Sequence, residues 1–503
     1  MTIRNRNSRH ASARFFRMVG ILILTGLAFG CSDWHEFGHG PTNPHNTFAP
    51  GPTGGVASVT PLVHPTTGSV HGAEVGVLTD SSGDYYVTSY DSEIHVYDPT
   101  GTHQVTYTLP VGGSRAVPYI VNFFLDRKSF IFTGAEGGGF YVIEIDKSGA
   151  TYTATLVASD TTVGRSESSP KRAQDGNFYL AEQWGDIIVF SYDFATTTLT
   201  RVNTYSVGEV VTGAIALFDC EPAAGEEVLV ATKEGGFYVL DHTLSGEIWS
   251  ETTGLVNADE YYAGVTVAER GSADPVALLP MAGRIESPPS SNSGRLRAIN
   301  LATRSIEWEL TPSATTPGVH EIPGSVSLLH PFTSTGTGIT STTTTPTDGT
   351  TVTTTTTVDV TPGGDIGGVG SVTINGHIGT DVTASTGDNQ DNTNTQPVPN
   401  TFLATFASTD EYLYGVDIVT GLEVWSYWMR APGFDAPVTD RSSVVFVGDG
   451  TSTLHAVFGP IGAPVWVNPV ISVGGVEDIV KLGLSYYKEL IVASGNSAYS
   501  LLP

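Results

Sequence analysis

Few side chains in this 503-residue sequence are of types that do covalent or metal chemistry, and their spacing limits what each can do. His35-Glu36-Phe37-Gly38-His39 has the H-E-x-x-H spacing, which makes a catalytic zinc site only when both imidazoles share a helical face and the glutamate serves as base. Gly38, Gly40-Pro41 and Pro44 oppose a buried helix there, so the segment reads as adventitious metal affinity shared by His35, His39 and His45. Of the two cysteines, Cys220 stands alone in Leu217-Phe218-Asp219-Cys220-Glu221-Pro222 and reads as a small buried hydrophobe. The loops Asp80 to Asp84 and Asp388 to Asp391 offer the oxygen ligands calcium takes, but neither has an EF-hand or nonapeptide spacing, so calcium has no assignable ligand set. The glycine cluster Gly363 to Gly370 has no helix after it and reads as linker, not as a nucleotide cradle. There is no phosphate loop, G-x-S-x-G elbow or C-x-x-C pair. No catalytic, cofactor or metal residue is therefore assigned, and the chain is expected not to be an enzyme.

The remaining cysteine, Cys31, has a different setting. Arg4, Arg6, Arg9, Arg14 and Arg17 precede the apolar run Met18 to Gly30 with no acidic residue among them, the layout of a secretory signal. The run is too short to span a bilayer core stably, which takes about 20 residues. Leu27-Ala28-Phe29-Gly30-Cys31 resembles the lipobox of bacterial lipoproteins, which implies cleavage before Cys31, its lipidation, and a membrane held through acyl chains. Ser32 resembles the sorting preference for the outer membrane. Residues 1–30 are thus expected to be removed and residues 31–55 to form a flexible tether. Loss of the five arginines leaves 18 basic against 51 acidic residues, moving the formal charge from −28 to −33. A field of that sign repels nucleic acid, which is excluded as a partner.

Residues 56–503 must supply whatever positions a site, and they are built from a repeat. Short apolar strands joined by Gly or Asp turns recur, starting near Tyr85, Phe130, Phe178, Val228, Val276, Phe402, Val444 and Leu490. The spacing is about 42 to 50 residues, except for one interval of about 126, which is the period of a four-stranded propeller blade. Four of the seven tryptophans fall at one repeat position, just after a small turn: Gly246 with Trp249, Arg304 with Trp308, Gly421 with Trp425 and Gly462 with Trp466. The indoles are expected to fill the gaps between blades, and the glycines to support the turns.

The unit Leu413-Tyr414-Gly415-Val416-Asp417-Ile418-Val419-Thr420-Gly421-Leu422-Glu423-Val424-Trp425 resembles the PQQ-like, or quinoprotein-type, propeller repeat. The resemblance is strong in the fourth to seventh copies. In the first copies Tyr107 and Leu156 stand near the tryptophan's place. It implies an all-β propeller of eight four-stranded blades, seven being the alternative count. The last copy stops after its third strand, and Val59 to His64 is expected to supply the fourth and close the ring. Enzymes of this type bind pyrroloquinoline quinone and calcium on the propeller axis, using adjacent cysteines, a stacking tryptophan, and acidic and amide ligands. The isolated Cys220 departs from that pattern.

The long interval holds a Thr- and Gly-rich segment, residues 333–400, with the runs Thr342 to Thr345 and Thr353 to Thr357. It lacks core material and reads as a disordered insertion between the first and second strands of blade six, with a hairpin suggested over Val369 to Val382. The resemblance to the propeller lipoprotein of the outer-membrane β-barrel assembly machinery implies a non-catalytic, lipid-anchored scaffold. Its expected place is the bacterial outer membrane, on the periplasmic face or the cell surface, and its expected partners are envelope proteins, β-barrel assembly components among them. The alternatives are a PQQ- or metal-dependent dehydrogenase and a surface adhesin or glycan-binding propeller.

Overall fold

The computed structural model describes residues 42, 43, 45, 51, 52 and 56, the strand Ser58–Leu62, and most of the chain from 76 to 502. Outside the description lie 1–41, 63–75, 221–224, 253–258, 284–293, 311–321, 334–353, 377–401, 469–479 and shorter stretches. Cys31, the H-E-x-x-H segment, Gly363 to Gly370 and Asp388 to Asp391 all fall there.

The described residues form eight antiparallel blades, spanning 76–108, 119–160, 171–206, 216–251, 266–310, 327–428, 438–468 and, last, 480–502 joined by Ser58–Leu62. Every strand start read from the repeat falls at the second strand of a blade, as with Tyr85–Thr88, Phe178–Ala181 and Val444–Gly448. Blade five carries an additional pairing, Asp259–Glu260 against the far end of Ala273–Gly283. Among the described residues the one helical turn is the 3-10 turn Phe124–Asp126.

Position within a blade decides what a strand buries. The second strands Glu227–Ala231 and Leu403–Ala407 are buried at every residue, because neighbouring blades cover both faces of the sheet. The outermost strands, such as Thr198–Ser206, alternate between exposed and half-buried residues, since only one face meets protein. In each of blades one to seven the register shifts between the third and fourth strands, at Val96/Tyr97 and Gly415/Val416 for example. A bulge at the same place in each blade adds the same local twist, and this ties the weakly marked early blades to the later ones.

The last blade takes its fourth strand from the amino terminus. Ser58–Leu62 pairs antiparallel with Ser497–Leu502, Ser58 opposite Leu502 and Leu62 opposite Ala498. Leu62 and Ala498 pack with Val77, Tyr85, Val87 and Tyr97 of blade one, and one apolar cluster runs from Phe446 and Leu454 through Leu490 and Leu501 to Leu78 and Ile131.

Two expectations change. The segment 31–55 is not a free tether throughout: Asn43, His45, Gly51 and Pro52 are buried against the blades, because their backbone and amide groups find partners on the inner strands. Within 333–400, Thr354–Asp359 pairs with Ser371–Gly376, so the hairpin draws its first strand from the threonine run and not from within Val369 to Val382. Threonine is β-branched and suits a strand. The insertion leaves blade six between Ser327–Leu328 and Leu403–Ala407, which pair across it.

Candidate functional site

The innermost strands of a propeller face its axis, and their backbone groups need partners wherever the next strand is missing. Residues 42–52 supply several. Asn43 is fully buried, and its Nδ2 donates to Ile215 O at 2.9 Å and Val265 O at 2.8 Å, at the entries to blades four and five. Thr42 O accepts from Val267 N, and Asn43 O accepts from Thr266 Oγ1. Two residues on, His45 O accepts from Ser327 Oγ of blade six and Thr439 N of blade seven. Gly51 N then donates to Asp440 Oδ2 at 2.7 Å, and Pro52 O accepts from Trp466 Nε1 at 2.8 Å. Residues 42, 43, 45 and 51 thus meet the inner ends of blades four to seven, and Pro52 meets the outermost strand of blade seven.

Asp440 anchors this strap. It is fully buried and also accepts from Ser442 N and Val444 N. Burial raises its carboxyl to about 6, and those three backbone donors pull against the rise. Gly51 lies so close to the Phe446 ring that any side chain there would collide with it.

A cavity of about 460 Å³ opens at the turns joining first to second strands, with Thr42 in its wall. Leu217, Phe218, Leu329 and Phe402 give it apolar surface, while Asp219, Glu226 and Glu269 give it carboxylates; no Lys or Arg is among the described residues that line it. Such a cavity favours a cationic group with an apolar stem. Pyrroloquinoline quinone is a tricarboxylate, and three wall carboxylates with no cation repel it. The sequence has no adjacent cysteines, and Asn43 and His45 are bonded to the inner ends of blades four to seven. The residues present do not fit that cofactor.

The repeat residues read from the sequence have structural duties here. A side chain on Gly421, whose φ is +70°, would come within 2.5 Å of the Trp308 ring, and one on Gly462 within 2.7 Å of Trp425. Each indole therefore lies on the glycine turn of the following blade. Trp308 Nε1 also donates to Ile418 O at 3.2 Å. Trp249 meets Phe237 edge to face at 5.5 Å. Asp417 Oδ1 accepts from Val419 N and Thr420 N, which is why the repeat wants an acidic or amide residue there. Gly246 differs from the expectation. It stands three residues before its tryptophan, not four, and Leu244 carries the left-handed conformation of that turn at φ 54°. In blade five Arg304 takes it at φ 58°. In blades two and three phenylalanines fill the gap instead, Phe132 stacking on Phe178 at 3.8 Å. Tyr107 is partly buried in the core and Leu156 is largely exposed.

The loop Asp80 to Asp84 is not an open calcium site. Lys147 of blade two pairs with Asp80 and with Asp84, the latter at 2.6 Å, and all three are buried. Tyr86 donates to Asp80 at 2.6 Å and Tyr152 to Asp84 at 3.1 Å. Burial and the Asp80 carboxylate push Asp84 above its ordinary range, against the pull of Lys147. An ammonium from the chain stands among the carboxylates a calcium ion would take, through a contact that spans 67 positions of the sequence. Cys220 is half-buried beside the core of blades four and five, and its N–H donates to Glu227 Oε2 at 2.6 Å.

No protein-family model matches the sequence, and no curated protein matches it. Solved structures do. Sqt1 from Saccharomyces cerevisiae aligns at 10% identity and a TM-score of 0.56, over 86% of this chain and 98% of that one. The quinohemoprotein alcohol dehydrogenase from Comamonas testosteroni aligns at 12% identity and 0.56, over 93% and 80%. A europium-containing methanol dehydrogenase aligns at 14% identity and 0.53, over 93% and 90%. BamB from Moraxella catarrhalis aligns at 13% identity over 89% and 98%, with a TM-score of 0.48 that is too low to carry an argument. Likeness at this distance speaks for architecture and not for activity. The architecture is that of a β-propeller, built here of eight antiparallel blades.

Proposed function

We propose that this chain is a non-catalytic, lipid-anchored propeller scaffold that binds envelope proteins at the bacterial outer membrane or cell surface, in a role such as envelope protein assembly. The observation that carries the reading is the strap of residues 42–52, seated across the inner strands of blades four to seven. A dehydrogenase of this fold would need that region for its quinone. The anchor rests on the lipobox-like Leu27 to Cys31. The acidic cavity beside Thr42 suits lysine or arginine side chains of a partner, and the exposed Trp184 and Trp428 on the blade surfaces suit protein contact.

Crosslinking in intact cells followed by recovery from the outer-membrane fraction tests this. Stoichiometric capture of an envelope protein supports the scaffold. Binding of one pyrroloquinoline quinone per chain, with dye-linked alcohol or sugar oxidation, overturns it in favour of the dehydrogenase. Protease accessibility on whole cells together with glycan-array binding, and no protein partner, would favour the adhesin.

A further inference from the structure

Blade one carries a second grouping of carboxylates, built around an imidazole. Glu93 and His95 lie two apart in the third strand Glu93–Tyr97 and so share one of its faces, and Asp91 stands in the turn just before it. One ligand atom from each lies within 4.8 Å of the others, and His95 Nε2 is 3.5 Å from Glu93 Oε2. That is an ion-pair contact when the imidazole is protonated, and it is also the separation two ligands keep around one ion bound at about 2.0–2.2 Å. Asp91 accepts from Ser89 in the turn that leads into the strand.

The imidazole is held from behind. His95 Nδ1 is 3.1 Å from Thr106 Oγ1, which is 2.9 Å from His103 Nε2, and the two rings are 6.1 Å apart. A hydroxyl has one proton to give. When His95 Nδ1–H donates to Thr106, the Thr106 proton goes to His103 Nε2, and His95 Nε2 keeps its lone pair toward Glu93. A metal-binding imidazole is commonly arranged in this way, with its second nitrogen hydrogen-bonded to fix tautomer and ring. His95 is fully buried and Asp91 is exposed, which gives the grouping a fixed inner ligand and an entrance from solvent. A nitrogen donor beside two carboxylates selects a first-row transition cation over calcium, whose sites are built from oxygen.

We propose that blade one binds one divalent transition-metal cation of the zinc class through His95 Nε2, Glu93 and Asp91. Thr106 and His103 position the imidazole, and the remaining coordination is left to water or to a donor from another molecule. The test uses the mature chain stripped with chelator, titrated with zinc chloride by calorimetry and with cobalt(II) followed by visible absorption. One equivalent should bind. Asp91→Asn, at an exposed position that leaves the blade folded, and Glu93→Gln should each weaken it at least tenfold, and His95→Ala should abolish the cobalt band. Thr106→Val, which removes no ligand, should lower affinity about tenfold, and Thr106→Ser should restore it. Absence of binding overturns the proposal. So does binding that is unchanged in Asp91→Asn and Glu93→Gln, which would move the metal to His35 and His39. Thermal midpoints of all variants separate loss of a ligand from loss of the blade.

Discussion

A glycine in this ring is constrained by the blade beside it as much as by its own turn. Gly421 combines a left-handed backbone with an indole 2.5 Å from where a Cβ would sit, so Gly421→Val should cost roughly 2–4 kcal/mol. Chemical denaturation would read that loss, and a double-mutant cycle with Trp308→Ala should recover part of it. Gly246→Ala should cost little by the same measure, since that glycine has a negative φ and open space. Carboxylates divide similarly. Asp98, Asp160, Asp193 and Asp449 accept backbone N–H and threonine hydroxyl bonds that hold them below the ordinary range, and Asp241 reaches about 2. Stability from such groups is present above the unfolded pKa and is lost as pH falls through the folded one. Asp440 has the opposite sign. Its folded value of about 6 lies above the ordinary 3.8, so between those values the folded chain holds a proton that the unfolded chain has released. Stability through this group therefore falls as pH rises from about 4 to about 6 and is level above that. Asp440→Asn should remove that slope, on the order of 2 kcal/mol between pH 4.5 and 7.5, when thermal midpoints of the two proteins are compared across pH.

At the scale of elements, the strap of residues 42–52 works like an added partner for inner strands that otherwise end at the axis. Asn43, His45, Gly51 and Pro52 are held there by hydrogen bonds. Asn43→Ala removes the donor that Ile215 O and Val265 O share, and leaving buried acceptors short costs about 1–3 kcal/mol. The expected readout is faster amide exchange at the inner strands of blades four and five, with blades one to three unchanged. Exchange that stays uniform across the ring would mean the strap is not coupled to those strands. The Lys147 network does comparable work between blades one and two, where two aspartates of one blade meet a lysine of the next. A buried pair of this kind is costly to break from one side, because it leaves charge uncompensated.

For the whole molecule, Ser58–Leu62 and Ser497–Leu502 share one sheet, so blade eight joins the first and last strands of the ring. Deleting residues 58–62 should lower the thermal midpoint and cause association at raised concentration, because Ser497–Leu502 would then present an unpaired edge. An unchanged midpoint would show that the ring does not depend on this strand. The acidity also becomes partly intelligible at this scale. Of the 51 acidic residues, Asp98, Asp146, Asp193, Asp241, Asp417 and Asp449 each cap a hairpin turn by accepting its backbone N–H groups. One such turn in each of these six blades accumulates negative charge as a by-product of making turns. Others, Asp219, Glu226 and Glu269, gather at the cavity mouth.

The sequence by itself determined the repeat. Period, turn residues and the tryptophans at 249, 308, 425 and 466 are local signals, since a blade is built from strands adjacent in the chain, and their second strands fall where the period placed them. Only the tertiary structure decided what lies between blades and along the axis. Asn43 meets Val265 across 222 positions and Gly51 meets Asp440 across 389, and no periodicity in a Pro- and Gly-rich segment announces such contacts. Asp80 and Asp84 looked like calcium ligands because a run of carboxylates carries no record of the lysine that will face it. Local patterns fix which strands form, whereas the partner of a buried polar group is set by which surfaces close on it, and that depends on the whole ring.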